Sequence, residues 1–284
     1  MAEVQLDGPL DLTAGDIEMD PIDVDAGELE NGAEEDDGDV MEEEATAPRV
    51  LFIDYLKSPI VEIVVGSGED QTFLTVHQGL LMRSPYLADR CSRFSEDATF
   101  AWLTIACAHK ERRIELGEYD IDPVGCLLQY LYTGEYFPRK LNEGRLEDDP
   151  SAPAVDDSGE QLLKHARVYT LADKLGLDEL KALAHSKIHR INSNAKGEIA
   201  YARFVYANTP REDTTIRKPV AAFWAHRSHV LRHEAEDEFR KMCLEFPQFG
   251  FDVLSLVLDA KEKSREKEHP GERSSRKRIR QSQG

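Results

Sequence analysis

The chain has 284 residues, with 35 Lys and Arg against 55 Asp and Glu, and its formal net charge is −20. This acidic balance argues against nucleic acid as a partner of the folded part, because phosphate binding depends on basic patches. No stretch approaches the roughly 18 consecutive apolar residues of a membrane-spanning helix, and the acidic start lacks the basic and apolar regions of a secretory signal. We therefore expect neither a membrane segment nor a signal peptide.

Both ends of the chain are predicted to be disordered. Residues 1–49 form an acidic leader with 18 acidic side chains and one basic one, and such a segment cannot bury enough apolar surface to offset chain entropy. The leader is interpreted as a solubilising segment; the alternative is a segment that binds basic partner proteins through its negative charge. Residues 261–284 form a basic tail with nine basic and four acidic side chains. The four cysteines are scattered without a CxxC pair, which favours buried thiols in a reducing compartment.

The first predicted elements are a short apolar segment and a hairpin. Val50-Leu51-Phe52-Ile53 is an apolar cluster that predicts either a short strand or the first turn of a helix. Residues 59–66 are β-branched and nearly all apolar, as in a buried strand, and residues 71–76 return from a polar turn as its partner. The Gly66-Ser67-Gly68 turn lacks a third glycine and leads to a strand, so a dinucleotide site is not expected there.

Helices and further strands follow the hairpin. His77 is predicted to be a hydrogen-bonded structural histidine at a strand-to-helix junction, and Ser84-Pro85 reads as a cap followed by the first helical residue. Residues 102–108 are a strand candidate, and Arg113–Leu116 alternates polar and apolar as a half-buried strand does. Asp122-Pro123 is predicted to open a helix that Thr133-Gly134 ends. One face of that helix is apolar, with Val124, Leu127, Leu128 and Leu131.

These elements resemble the BTB/POZ domain, a protein-interaction module. The resemblance covers roughly residues 58–185 and includes the run V-H-Q-G-L-L-M-R-S-P-Y-L and a Y-T-G-x-Y signature. Matching residues are Val76, His77, Leu80, Leu81, Ser84, Leu128, Tyr130, Leu131, Tyr132, Thr133, Gly134 and Tyr136. Gln78 stands where the family usually has Lys, and Glu62 stands near its common strand Asp, so family contacts of those side chains are in doubt. The single-domain arrangement resembles the BTB proteins abundant in filamentous fungi.

The resemblance implies an α+β fold, a small mixed sheet flanked by helices over residues 50–192, whose function is binding partner proteins. BTB domains often dimerise through an N-terminal helix and strand, which here implies a homodimer, or a pair with another BTB protein, formed through Val50, Leu51, Phe52, Ile53 and Leu56. Some recruit cullin-family ubiquitin ligases through a hydrophobic-x-Glu turn after the S-P helix. Phe94-Ser95-Glu96 occupies about that place, which predicts a ubiquitin ligase adaptor.

The second half of the chain is predicted to be helical after a loop. Residues 139–160 contain two prolines and clustered acidic side chains, which predict a solvated loop inserted in the domain. Two helices separated at Gly176 are expected to form an antiparallel hairpin. Residues 193–260 are interpreted as a helical extension packed beside the domain, including a helix opened by Lys218-Pro219. Its last helix is expected to use an apolar face made of Val253, Leu254, Val257 and Leu258.

Two groups of histidines have helical spacing. His226, His229 and His233 share one helix face, and His185 and His189 form an i, i+4 pair, a spacing at which imidazoles can hold zinc. Arg227 and Arg232 oppose a cation, and no HExxH motif or nearby cysteine is present. The interpretation is a solvated basic face, so no metal site is predicted. No GxSxG elbow, P-loop or CxxC pair appears either, and we expect no cofactor and no enzyme activity.

The basic tail supports a second functional hypothesis. Four of the five residues 276–280 are basic, namely Arg276, Lys277, Arg278 and Arg280. Such runs are typical of nuclear import signals or nucleic-acid contacts, and a solvated basic end is the simpler alternative. The chain is therefore expected in the nucleus or the cytoplasm. The alternative function is a nuclear transcription- or chromatin-associated scaffold.

Overall fold

A three-stranded mixed sheet forms in the computed structural model, which describes residues 50–94, 112–141 and 144–268. β1 (Ile60–Val65) pairs antiparallel with β2 (Thr72–His77), and β3 (Arg113–Leu116) pairs parallel with the other edge of β1. The predicted hairpin and the predicted strand at 113–116 are confirmed, whereas the strand candidate at 102–108 lies outside the described residues. With the surrounding helices, this is the predicted α+β class.

Burial along the strands follows their sequence patterns. Most of the apolar β1 is buried, since Val61, Ile63, Val64 and Val65 are at most 1% exposed. In β3, Ile114 and Leu116 face the core while Arg113 and Glu115 remain exposed, as an alternating strand requires. The middle strand is therefore covered on both faces, and the two outer strands are half-covered.

Ten α-helices occur within the described residues. They are α1 (Phe52–Leu56), α2 (Gln78–Leu81), α3 (Pro85–Ser92), α4 (Ile121–Thr133), α5 (Glu160–Leu175), α6 (Asp178–Ile188), α7 (Ala195–Asn208), α8 (Thr214–Glu234), α9 (Glu236–Glu245) and α10 (Pro247–Glu268). The apolar cluster at residue 50 is thus the start of a helix and not a strand. Helices α5 and α6 pack on each other as the predicted hairpin, and α5 also contacts α4 and α7.

Ser84 joins the ends of two helices. Its hydroxyl oxygen accepts the Leu87 N–H and so caps α3, as predicted from the Ser-Pro pair. The same hydroxyl donates to the Leu175 carbonyl at 2.6 Å, which would otherwise be an unpaired acceptor at the end of α5. Gly176 ends α5 in the left-handed conformation, as Gly134 does for α4. A completely buried side chain therefore fixes how α3 meets α5.

Three predicted helix boundaries differ from those observed. Helix α4 begins at Ile121 with Asp120 as its N-cap, so Asp122 lies in the first turn, and the Asp120 side chain forms no capping bond. Helix α8 begins at Thr214, and Pro219 lies inside it; a proline near a helix start removes only one backbone bond. Helix α10 continues to Glu268, past the boundary expected at residue 260.

The segment 139–160 is less solvated than the sequence indicates. Its described part holds only isolated bridges, Lys140 to Leu146 and Asp156 to Ser193, as a loop should. Asp156, however, is 1% exposed, and its carboxylate accepts the N–H groups of Gly159 and Leu162 at the start of α5. The charged side chain is buried because it satisfies backbone donors that α5 cannot pair itself.

Candidate functional site

An exposed apolar surface lies at α1. Its five members are the residues predicted for self-association, and their exposed fractions lie between 37% and 58%: Val50, Leu51, Phe52, Ile53 and Leu56. No residue of α1 is buried. We call this set the α1 surface. Contiguous exposed apolar side chains on a folded protein commonly mark an interaction site, whereas isolated ones do not.

A close contact with α2 positions the α1 surface. The Ser58 hydroxyl donates to the Tyr55 carbonyl and accepts the Gly79 N–H at 2.8 Å. A Cβ atom added at Gly79 would lie 3.1 Å from the Ser58 hydroxyl and 3.3 Å from Tyr55 Cα. Helix α1 therefore rests against a glycine of α2, and its apolar residues point away from the core. Helical spacing alone does not reveal this role of Gly79.

His77 and Tyr132 join the two motifs that carry the family resemblance. The His77 ring nitrogen Nδ1 lies 2.7 Å from the Tyr132 hydroxyl oxygen, which also accepts the His77 backbone N–H at 3.2 Å. The two rings meet edge to face, with centroids 5.9 Å apart. The expectation of a hydrogen-bonded structural histidine is confirmed. The contact holds the end of β2 against α4.

A buried polar cluster surrounds Tyr136, the last residue of the Y-T-G-x-Y signature. The Tyr136 hydroxyl lies 2.9 Å from His165 Nδ1. Lys187 is completely buried, lies 3.6 Å above the Tyr136 ring and donates to Glu135 and to the carbonyl groups of Tyr136 and Pro138. Burial lowers the pKa of Lys187 and also lowers that of His165, to about 3. This cluster ties α5 and α6 to the chain after α4, so it serves packing.

The residues predicted to meet a cullin are only partly described. Phe94 is half-buried and packs against the core just after α3. Ser95 and Glu96 lie outside the described residues, as do the basic residues Arg276, Lys277, Arg278 and Arg280 and the predicted disordered leader. The structure therefore shows where Phe94 lies, and the cullin motif as a whole stays a prediction.

Two open cavities lie beside the inserted loop. One, of about 600 Å³, is lined by loop residues with Lys164, His165 and Arg190, and the other, of about 670 Å³, lies between the loop, α4 and α5. Cys126 lines the second cavity, and burial raises the pKa of its thiol, which keeps it protonated and unreactive. The Ser158 hydroxyl, also at the second cavity, donates to the carboxylate of Asp156 at 3.3 Å, and that carboxylate accepts the first N–H groups of α5, so this pair has a structural role.

The described thiols are mostly buried and the histidines of α8 are exposed, as the sequence predicts. Cys91 and Cys126 are buried and Cys243 is half-buried, all as free thiols. His226 donates to the Ala222 carbonyl at 2.7 Å, while His229 and His233 are exposed. Within the described residues, no three metal-ligating side chains converge on one point. In contrast to the histidines of α8, His185 and His189 lie close together, with their Nε2 atoms 3.1 Å apart.

A second exposed apolar face lies on α10. Its members recur at helical spacing: Phe251, Leu254 and Leu258, which are 49–63% exposed. Val253 and Phe249 face the core instead, so the predicted apolar face is only partly covered, and Leu254 and Leu258 are exposed. The three residues could have been recognised by their own i, i+3, i+7 pattern. The sequence contains two apolar stripes on this helix, and only the packing shows which one is covered.

No model of a known protein family matches the chain, and no curated protein matches it significantly. Among the described residues, no helix has the length and apolar character needed to cross a membrane. The motif resemblance therefore stays a prediction, and the function is argued from the surfaces described above.

Proposed function

We propose that this protein is a protein-interaction module of the BTB/POZ-like type that associates with a second copy of itself through the α1 surface. The observation that carries the proposal is the set of five neighbouring apolar side chains exposed on and just before α1. Water contact with such a cluster is unfavourable, by about 25 cal/mol for each Å² of apolar area that a partner would cover. A second copy offers an identical apolar surface, which fits a symmetric interface.

The motif geometry supports the same proposal. In the resemblance, the Val-His pair and the Y-T-G-x-Y signature are packing elements, and the N-terminal helix and strand are used for self-association. Here the hydrogen bond between His77 and Tyr132 joins those two motifs, and Gly79 of the adjacent helix supports α1. Both features serve to hold a surface in place, and neither supplies chemistry for a reaction.

The mass of the protein in solution tests the self-association. We expect a dimer by light scattering for the wild-type chain, and a monomer for Phe52→Asp, because a carboxylate at the centre of the interface would lose its hydration. Val230→Asp is the matched control, since Val230 is 44% exposed on α8, and it should remain dimeric. A wild-type monomer at the highest soluble concentration would refute the proposal, and so would a Phe52→Asp dimer.

As part of the same proposal, Phe94-Ser95-Glu96 recruits a cullin-type ubiquitin ligase. Purified cullin should be retained by the wild-type protein and lost with Glu96→Ala. Phe94→Ala should also abolish the retention of cullin. Because Phe94 packs against the core, the circular dichroism spectrum of this variant must match that of the wild type. Unchanged retention by Glu96→Ala would remove the ligase adaptor from the proposal and leave the self-association intact.

Localisation separates this proposal from the nuclear scaffold hypothesis. The basic run at 276–280 predicts import into the nucleus, so removal of residues 274–284 should redistribute the protein to the cytoplasm. A truncated protein that remains nuclear would count against a role of this run. Affinity capture with the full chain and with a chain lacking residues 196–284, once circular dichroism shows that the shorter chain is folded, would show whether the extension selects the partner.

A further inference from the structure

His185 and His189 bring two ring nitrogens together on the surface of α6. They are one helical turn apart, their Nε2 atoms are 3.1 Å apart, and their rings are nearly perpendicular with centroids at 4.5 Å. If a straight hydrogen bond joined the two rings head-on, the centroid separation would equal the nitrogen separation plus about 1.1 Å for each ring. The centroids would then lie more than about 5 Å apart. The observed centroids are closer, so the two nitrogens meet at an angle.

An angled approach is the arrangement of a chelate. A transition-metal ion binds imidazole nitrogen at about 2.0–2.1 Å, so two nitrogens on one ion lie about 2.9–3.4 Å apart at ligand angles of about 90–110°. The observed separation of 3.1 Å falls in that interval. We propose that His185 and His189 bind a divalent transition-metal ion, of the zinc or copper class, through their Nε2 atoms.

Water molecules can complete the coordination beside His189. His189 lines a cavity of about 120 Å³ that Glu198 also lines, which is space for about four water molecules at roughly 30 Å³ each. Glu198 is only 8% exposed, and the Ser193 hydroxyl donates to one of its oxygens. This carboxylate oxygen is thus already paired with Ser193, so water in the cavity is the remaining ligand that we propose beside His189.

The charge around the pair is compatible with an ion of moderate affinity. Two basic side chains, Lys187 and Arg190, lie close to His189 in the chain. Arg190 still opposes a cation, although its N–H groups are directed to the Gly144 and Ser186 carbonyl groups. Lys187 is turned into the core against Glu135.

Titration of the tag-free, full-length chain with Zn²⁺ alone, and separately with Cu²⁺ alone, tests the site. We expect one ion per chain, and an affinity at least tenfold lower in both His185→Asn and His189→Asn, because each variant leaves a single imidazole. His229→Asn, which changes an exposed histidine of α8, is the control and should bind as the wild type does. Circular dichroism must show that each variant is folded.

A second measurement keeps the test decisive if one variant is unstable. The Cu²⁺ electron paramagnetic resonance spectrum should show coupling to two imidazole nitrogens in the wild type and to one in the folded His185 variant. Added Zn²⁺ should raise the melting temperature of the wild type and of His229→Asn more than that of His185→Asn. Equal affinity in the wild type and both variants, or a loss of binding in His229→Asn, would overturn the proposal.

Discussion

At the scale of single residues, Lys187 shows how the fold uses a buried charge. Its ammonium group has no contact with water, yet three oxygen atoms and the face of the Tyr136 ring surround it. Burial alone would favour the neutral amine, and the Glu135 carboxylate at 2.5 Å opposes that effect. The lysine thus satisfies carbonyl groups after α4 that no strand or helix pairs.

Replacement of Lys187 by Met should destabilise the protein strongly. The change leaves the Tyr136 and Pro138 carbonyl groups without a donor, which costs about 3 kcal/mol in free energy of unfolding. Urea denaturation measures this loss. Lys174→Met is the control, because Lys174 is 46% exposed where it pairs with Glu118, and it should lose less than about 1 kcal/mol. Equal losses in both variants would contradict the role given to Lys187.

His165 should make stability depend on pH. Its pKa falls from 6.5 to about 3 in the folded state, chiefly because it is buried, so the unfolded chain binds more protons between those values. Stability from this group is therefore present above pH 6.5 and decreases as the pH falls. We expect a loss of about 2 kcal/mol between pH 7 and pH 5.

Urea unfolding at both pH values checks this prediction. His165→Gln should lose less stability between pH 7 and pH 5 than the wild type, whatever its stability at pH 7. His229→Gln, at an exposed position, should show the wild-type difference. If His165→Gln retains the full difference, another group is responsible for the acid sensitivity.

At the scale of the elements, two helical glycines have opposite surroundings. A Cβ atom added at Gly125 of α4 would meet nothing within 4 Å, whereas one added at Gly197 of α7 would lie 2.4 Å from the Asp156 carbonyl oxygen. Helix propensity alone treats the two positions alike. Packing distinguishes them, because α7 approaches the end of the inserted loop at Gly197 and nothing approaches Gly125.

The variants Gly125→Ala and Gly197→Ala should change stability in opposite directions. Alanine at residue 125 should raise the free energy of unfolding by about 0.5–1 kcal/mol, since it restricts the unfolded chain. Alanine at residue 197 should lower it by about 1–3 kcal/mol, because the loop must move away. Chemical denaturation measures both values. A gain in stability at residue 197 would show that the loop does not hold Asp156 against α7.

At the scale of the whole molecule, side chains connect the predicted domain with its helical extension. The Tyr169 hydroxyl of α5 lies 3.0 Å from both carboxylate oxygens of Asp213, and Lys181 of α6 lies 3.5 Å from one of them. The described residues form one compact unit that spans the boundary expected at 192/193. Trp224 is completely buried against Phe239 and Phe249, so the extension has an aromatic core of its own.

We expect these contacts to make unfolding a single transition. The chain has two tryptophans, so Trp102→Phe leaves Trp224 as the only indole signal and makes fluorescence report on the extension. In urea, that signal and the far-ultraviolet circular dichroism should change at the same midpoint. A fluorescence midpoint at a lower urea concentration would mean that residues 193–268 unfold separately.

The sequence by itself determined the α+β class, the hairpin, the helix ends at Ser84, Gly134 and Gly176, and the structural role of His77. These features depend on local chemistry: a β-branched run, a capping hydroxyl or a glycine acts within a few residues. The exposed position of the α1 surface was also expected, although only through the family resemblance. Residues outside the described ranges leave the cullin motif and the basic tail as predictions.

Only the tertiary structure decided which of two apolar stripes on α10 is buried, that Asp156 is enclosed, and that Gly79 and Gly197 touch neighbouring segments. It also decided that His185 and His189 converge while His229 and His233 stay exposed. The physical reason is that helical spacing places side chains on a common face but contains no information about what lies opposite that face. Burial, the shift of a pKa and the angle between two rings are set by neighbours that are distant in the chain.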